Sequence, residues 1–320
     1  MNLGWNSPVL VVYEGSTSGY RKRQNMKTVN MKTVTLKLLV KTALGFLALQ
    51  LLTGCASMQG ISPASLINAP FNAANKMAGP LLDPMLQTQA DAQYKELTQK
   101  STAMPRSSAE WQKVNEISQR IIRAVDVYQK RVPVAERPFQ FADTSNFQWE
   151  VSVIRSSQKN AFAMPGGKIA VYTGILPIAE DDNGLAAIIG HEVSHALLRH
   201  GRERVVKNVS LAAAMQIAST QMQDQKHAQL LKYAGIGVNL GLLLPWSRGD
   251  ETEADQLGLA LATIAGYDPA AAATVWKNMS AASQGSPPEF LSTHPSHSSR
   301  IRNIQGWAPQ YEKTFSKYRF

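Results

Sequence analysis

Cysteine is almost missing from this sequence: Cys55 is the only one in 320 residues, so no disulfide can form within the chain. Long apolar runs are missing too. Residues 42–52, 209–222 and 230–244 are apolar, but each falls short of the roughly 20 residues a helix needs to cross a bilayer. Aromatic residues make up 8% and charged residues 18%, against 44% apolar residues. That balance excludes a disordered polar chain and leaves enough apolar material for a sizeable core. Negative charge is also scarce, and the formal net charge is +10. The excess is local. Residues 1–55 hold Arg21, Lys22, Arg23, Lys27, Lys32, Lys37 and Lys41 against Glu14 alone, so +6 of the +10 sits there. The other residues are too nearly balanced to suggest nucleic-acid binding.

What is present begins with a leader pattern. Lys32, Lys37 and Lys41 precede the apolar residues 42–52, and small residues follow, as in a secretory signal. Its ending, Leu52-Thr53-Gly54-Cys55, resembles the bacterial lipobox. That resemblance implies removal of residues 1–54, lipidation of Cys55 and a lipid anchor as the contact with a membrane. Ala56 and Ser57 follow the cysteine where an aspartate would signal inner-membrane retention. The expectation is an outer-membrane lipoprotein facing the periplasm. Residues 1–25 have no targeting logic of their own, and Met26 or Met31 would be a tidier start. An ordinary signal peptide or a buried helix with a free thiol are the alternatives.

Residues 55–87, rich in Gly, Pro, Ser and Asn, read as the lipidated N-terminus and a tether. Residues 91–99 and 108–132 read as helices. The second has Ser107-Ser108-Ala109-Glu110 as a capping box and Val114, Ile117, Ile121, Ile122 and Val125 on one face. Residues 139–141, 148–154 and 168–172 read as strands, with Pro165-Gly166-Gly167 as a turn. Helices follow at 182–199, 209–222, 230–244, 250–265, 270–282 and 301–306. The order predicts an α+β domain over residues 88–307, mostly helical with a small sheet, and a tail at 308–320.

His191-Glu192-Val193-Ser194-His195 is an HExxH motif inside a predicted helix. Residues four apart share a helical face, so both imidazoles reach one cation. Imidazole nitrogen suits Zn²⁺, and a catalytic zinc takes three protein ligands and keeps one open position. Glu192 is then placed to take a proton from the attacking water. The alternative is a surface helix with an incidental histidine pair.

A third ligand has to come from elsewhere. The metzincin continuation fails, because Leu198 and Gly201 stand where glycine and histidine are needed. His200 is nine residues beyond His191, about half a turn round a continuing helix, and is expected to face away. Glu251 and Asp255 share a face, with Glu253 on the opposite side. Glu251 as ligand and Asp255 bonding a zinc histidine from behind would use both. A solvated acidic helix start, favoured by the helix dipole, explains the same residues.

Four ordered motifs resemble those of metallopeptidase family 48. They are Asn160-Ala161-Phe162-Ala163-Met164-Pro165-Gly166-Gly167, the HExxH motif, Ser247-Arg248 with Glu251-Thr252-Glu253-Ala254-Asp255, and Thr293-His294-Pro295 with Arg300-Ile301. The resemblance covers about residues 105–307. It implies a gluzincin-like domain with one zinc per chain, held by His191, His195 and Glu251, with Asp255 behind them. Asn160, Ala161, Phe162 and Ala163 would form the edge strand that clamps a peptide. His294 would donate to the oxyanion or fill the metal's fourth position, with His297 as the other candidate.

The expected activity is zinc-dependent hydrolysis of internal peptide bonds in periplasmic or envelope proteins, as quality control of misassembled outer-membrane proteins beside their assembly machinery. Two other readings compete. One is a chaperone-like lipoprotein that holds clients along the edge strand and the helices of 209–244. The other is a structural lipoprotein stapled by its zinc. Residues 233–244 are expected to cover the cleft and leave the resting enzyme latent.

Overall fold

The structure is a computed structural model, and it describes residues 63–141, 144–208, 246–282, 289–295 and 298–320. The leader, Cys55, His297 and the two apolar segments of 209–244 lie outside the described residues. The described residues of Gly79–Val205 and Ile236–Phe320 form one compact unit, and those of Met1–Ala78 and Val206–Gly235 another.

Helix α1 (Pro63–Lys100) runs through residues read as a tether. Composition argued for an open linker, but Leu82, Ala90 and Tyr94 are buried and Asp83 pairs with Arg202 at 2.7 Å. Tertiary packing outweighs weak helical propensity. Helix α2 (Ala109–Arg131) begins one residue off the expected box: Ser108 caps it by accepting from the Trp111 amide. Val114, Ile117, Ile121 and Val125 are buried as the periodicity predicts, and Ile122 is half-buried.

The sheet has three strands, β1 (Glu150–Ile154), β2 (Ala161–Met164) and β3 (Lys168–Tyr172), in the order β1-β3-β2. β1 runs parallel to β3, and β2 pairs antiparallel to it with Ala161 opposite Val171 and Ala163 opposite Ile169. Gly166 and Gly167 make the turn between them at φ of 85° and 95°, a region that L side chains avoid. Residues 139–141 are not a strand. Their aromatics are taken up by Tyr128, which donates to the Phe139 carbonyl at 2.8 Å and stacks on Phe141.

Helix α3 (Asp182–Leu197), capped by the Asp181 carboxylate, carries the HExxH motif. Helix α4 (Arg248–Ile264) opens on a capping box of Ser247 and Asp250. The two cross at a pair of glycines. A Cβ on Gly258 would stand 3.1 Å from the His191 backbone nitrogen, and one on Gly190 would stand 3.1 Å from the Gly258 carbonyl. Absent side chains let the backbones touch, which brings the start of α4 to the motif. Helix α5 (Ala271–Ala281) and helix α6 (Ser298–Phe315) complete the unit. α6 passes through the expected boundary at residue 307, because Ala308 and Phe315 are buried with Ile304. The α+β reading holds: the domain is mostly helical, with the small sheet beside the HExxH helix. Among the described residues no helix is long and apolar enough to cross a membrane.

Candidate metal centre

Four buried side chains from three segments converge. His191 and His195 come from one face of α3, Glu251 from the first turn of α4, and His294 follows the short helix Glu289–Thr293. One donor atom from each lies within 4.8 Å of the others. His191 Nε2 is 3.1 Å from His195 Nε2 and 3.2 Å from His294 Nδ1. Glu251 Oε1 is 2.9 Å from His294 Nδ1 and 3.3 Å from His195 Nε2. The Trp246 amide donates to the Thr293 carbonyl at 2.8 Å, which ties the approach to α4 to the segment bearing His294. Aromatic rings fix the imidazoles: Phe290 stacks on His294 at 4.4 Å and Trp246 on His195 at 4.6 Å.

Asp255, one turn beyond Glu251, places Oδ1 3.0 Å from His191 Nδ1. That nitrogen donates to the carboxylate and leaves Nε2 with its lone pair toward the centre. Arg300, from the start of α6, bonds Asp255 through Nε and Nη2 and Glu251 through Nη1. Burial pulls the Glu251 carboxyl upward, but His294 and Arg300 outweigh it and hold it well below the usual range. Asp255 is likewise raised by burial and lowered further by Arg300 and His191. Burial drives His195 well below its ordinary value, so its ring is neutral.

These residues fit a zinc ion. Three imidazole nitrogens and an ionised carboxylate are crowded into one buried spot, where lone pairs facing each other at about 3 Å repel unless a cation lies among them.

Glu192 points to the same place. Its Oε1 is buried with no hydrogen bond and stands 3.4 Å from His294 Nε2. Burial pushes its pKa up, and the nearby Ala163 amide on β2 acts against that rise. This amide belongs to the side of the strand that pairs with no other strand among the described residues. Asn160 accepts from the Tyr172 amide at 3.0 Å, so Asn160 and Phe162 turn their peptide groups toward β3 and Ala161 and Ala163 turn theirs away.

Two residues escaped the sequence reading. His200 does not face away: its Nδ1 is 2.8 Å from His195 Nδ1, and its Nε2 is 3.4 Å from Glu253 Oε2. The helical extrapolation fails because α3 ends at Leu197 and Arg199 takes φ of 61°, which turns the chain back on itself. The His200-Gly201 end signal was the available clue. Arg300 belongs to the C-terminal motif, and its role shows only where folding brings it to Asp255 and Glu251.

The model of Peptidase family M48 matches residues 127–308. The mitochondrial metalloendopeptidase OMA1 of Schizosaccharomyces pombe is 42% identical over 181 residues, covering 55% of this chain and 52% of that protein. The human mitochondrial metalloendopeptidase OMA1 is 30% identical over 190 residues, covering 52% and 33%. The β-barrel assembly-enhancing protease of Escherichia coli is 26% identical over 166 residues, covering 49% and 34%. The chain thus spans about a third to a half of the length of these relatives. The expected outer-membrane lipoprotein location is corrected here, because the relatives of higher identity carry mitochondrial names. A lipobox-like tetrapeptide around a lone cysteine is too short to outweigh likeness across half the chain.

Proposed function

This chain belongs to peptidase family M48, its residues 127–308 forming a zinc-dependent metalloendopeptidase domain, and we propose that the protein cleaves internal bonds of extended polypeptide laid along the free edge of β2. One arrangement carries this reading: β2 turns the peptide groups of Ala161 and Ala163 away from β3, and the Ala163 amide stands close enough to Glu192, beside all four donors, to act on its carboxyl. An added strand gains main-chain hydrogen bonds from Ala161 and Ala163 and has its backbone carried past the centre.

A zinc ion held by His191, His195 and Glu251 supplies Lewis acidity that polarises the scissile carbonyl and acidifies water. Glu192 receives the attacking water's proton and passes it to the leaving amine, a role its burial-raised pKa suits. Burial pulls the His294 pKa down, but Glu192 and Glu251 outweigh it and raise it. Its Nδ1 faces the other donors, and Nε2, 3.4 Å from Glu192, is the atom placed to donate to the oxyanion. Asp255 and Arg300 hold His191 and Glu251 in place. The finer reading, removal of misassembled β-barrel proteins, draws support from the relatives named for β-barrel assembly.

Burial of all four donors, with His294 among them, favours a second reading in which clients are held along the edge with little hydrolysis. A single assay separates the two. Zinc content and casein cleavage are measured for the full chain with and without chelator, and for Glu192→Gln. The protease reading expects one zinc per chain, chelator-sensitive cleavage, and a Glu192→Gln variant that keeps zinc while losing roughly 10²- to 10⁴-fold in rate. Casein bound but uncut by the zinc-loaded wild type overturns it in favour of holding.

A further inference from the structure

His200 is buried behind the centre with two polar neighbours, His195 Nδ1 at 2.8 Å and Glu253 Oε2 at 3.4 Å. The nitrogen that His195 turns toward the other donors is Nε2. A ligand nitrogen must be bare, so the proton of a neutral ring sits on Nδ1. There it faces His200 Nδ1, which has to be the acceptor and therefore carries no proton. The His200 proton is then on Nε2, the atom turned toward Glu253. Every proton position along this line follows from the first. We propose that Glu253 and His200 form a relay of hydrogen bonds that locks His195 in the tautomer and ring orientation needed to bind zinc.

The two motif histidines are thus supported unequally. His191 rests directly on Asp255 at 3.0 Å, a carboxylate buried at the heart of the unit. His195 reaches its carboxylate only through a second imidazole, and the side chain of Glu253 is 48% exposed. The turn at Arg199 makes the arrangement possible by returning His200 to the helix it has just left. His200 touches the ligand and Glu253 touches His200, so both are positioning residues away from the reacting atoms.

The relay rests on the metal reading above, and the test keeps the two apart. Zinc affinity of the full chain is measured by chelator competition for wild type, His200→Phe, Glu253→Ala and Glu253→Gln, with folding monitored by circular dichroism. Loss of a partner behind a ligand histidine weakens metal binding by roughly 10- to 100-fold. His200→Phe is expected in that range and Glu253→Ala near its lower end. Glu253→Gln restores most of the affinity, because its amide oxygen still accepts from Nε2–H. Cobalt-loaded His200→Phe shows shifted ligand-field bands. If His200→Phe does not fold, Glu253→Ala decides, since its side chain is half in solvent. Wild type that binds zinc tightly, with Glu253→Ala within twofold of it, overturns the relay alone. Wild type that binds no zinc overturns the metal reading and the relay together.

Discussion

Arg300 grips Asp255 with two hydrogen bonds, Nε to Oδ2 at 2.5 Å and Nη2 to Oδ1 at 2.7 Å, while its Nη1 bonds Glu251. The guanidinium lies over the Trp276 ring at 3.4 Å. One planar cation thus balances two buried carboxylates, one on the proposed metal and one behind it.

Removing that cation strands both acids. Arg300→Met is expected to destabilise the zinc-free protein by about 3–5 kcal/mol. The loss is smaller when zinc is bound, since the ion neutralises Glu251. Arg300→Lys falls between, because an ammonium cannot reproduce the fork. Denaturant unfolding with and without zinc measures all three. Equal losses in both states would show that Arg300 is not balancing Glu251.

The glycine crossing makes a second prediction. Gly258→Val pushes α4 away from the His191 backbone, with an overpacking cost of about 1–3 kcal/mol. It also carries Glu251 away from His191 and His195, so zinc affinity falls in protein that still folds. Calorimetric zinc titration beside a thermal melt tests this, and unchanged affinity would refute it.

Strand polarity makes a third. Ala163→Pro removes an amide that faces Glu192 and leaves the β3 ladder intact, so cleavage falls far more than stability. Phe162→Pro deletes a ladder bond and costs about 1 kcal/mol or more in stability. Parallel melts and casein assays compare them. Equal destabilisation by both would mean that β2 is turned the other way.

Asp181 makes the fourth. Its carboxylate accepts from the Gly184 amide at 2.9 Å, and that bond, aided by Asn183, lowers its pKa. A depressed carboxyl stabilises fully above its unfolded value of about 3.9 and loses that contribution as pH falls through the folded value. Asp181→Ala therefore costs about 1 kcal/mol at neutral pH and progressively less in acid. Denaturant melts at pH 7 and at pH 3 check the convergence.

Legibility followed periodicity. The pairing of His191 with His195 and of Glu251 with Asp255 could be read because each pair lies within an unbroken helix, where spacing alone sets direction. His200 lay beyond Leu197, where one residue of left-handed backbone cancels the rule. Residues 139–141 looked like a strand through their alternation, but Phe141 stacks on Tyr128 and the Phe139 carbonyl accepts from its hydroxyl. The beginning of α1 looked like linker because Gly, Pro, Ser and Asn recur there, while the contacts that order it, such as Asp83 with Arg202, span more than a hundred residues. The crossing of Gly190 over Gly258 left no local trace at all.

β2 turns only the peptide groups of Ala161 and Ala163 away from β3, and Ala163 stands beside Glu192. Choice of victim then falls on the state of a visitor's main chain and hardly on its side chains. On the proposed reading, a protein whose strands are already committed to its own sheets would have none to lend, so correct folding would itself be the shield.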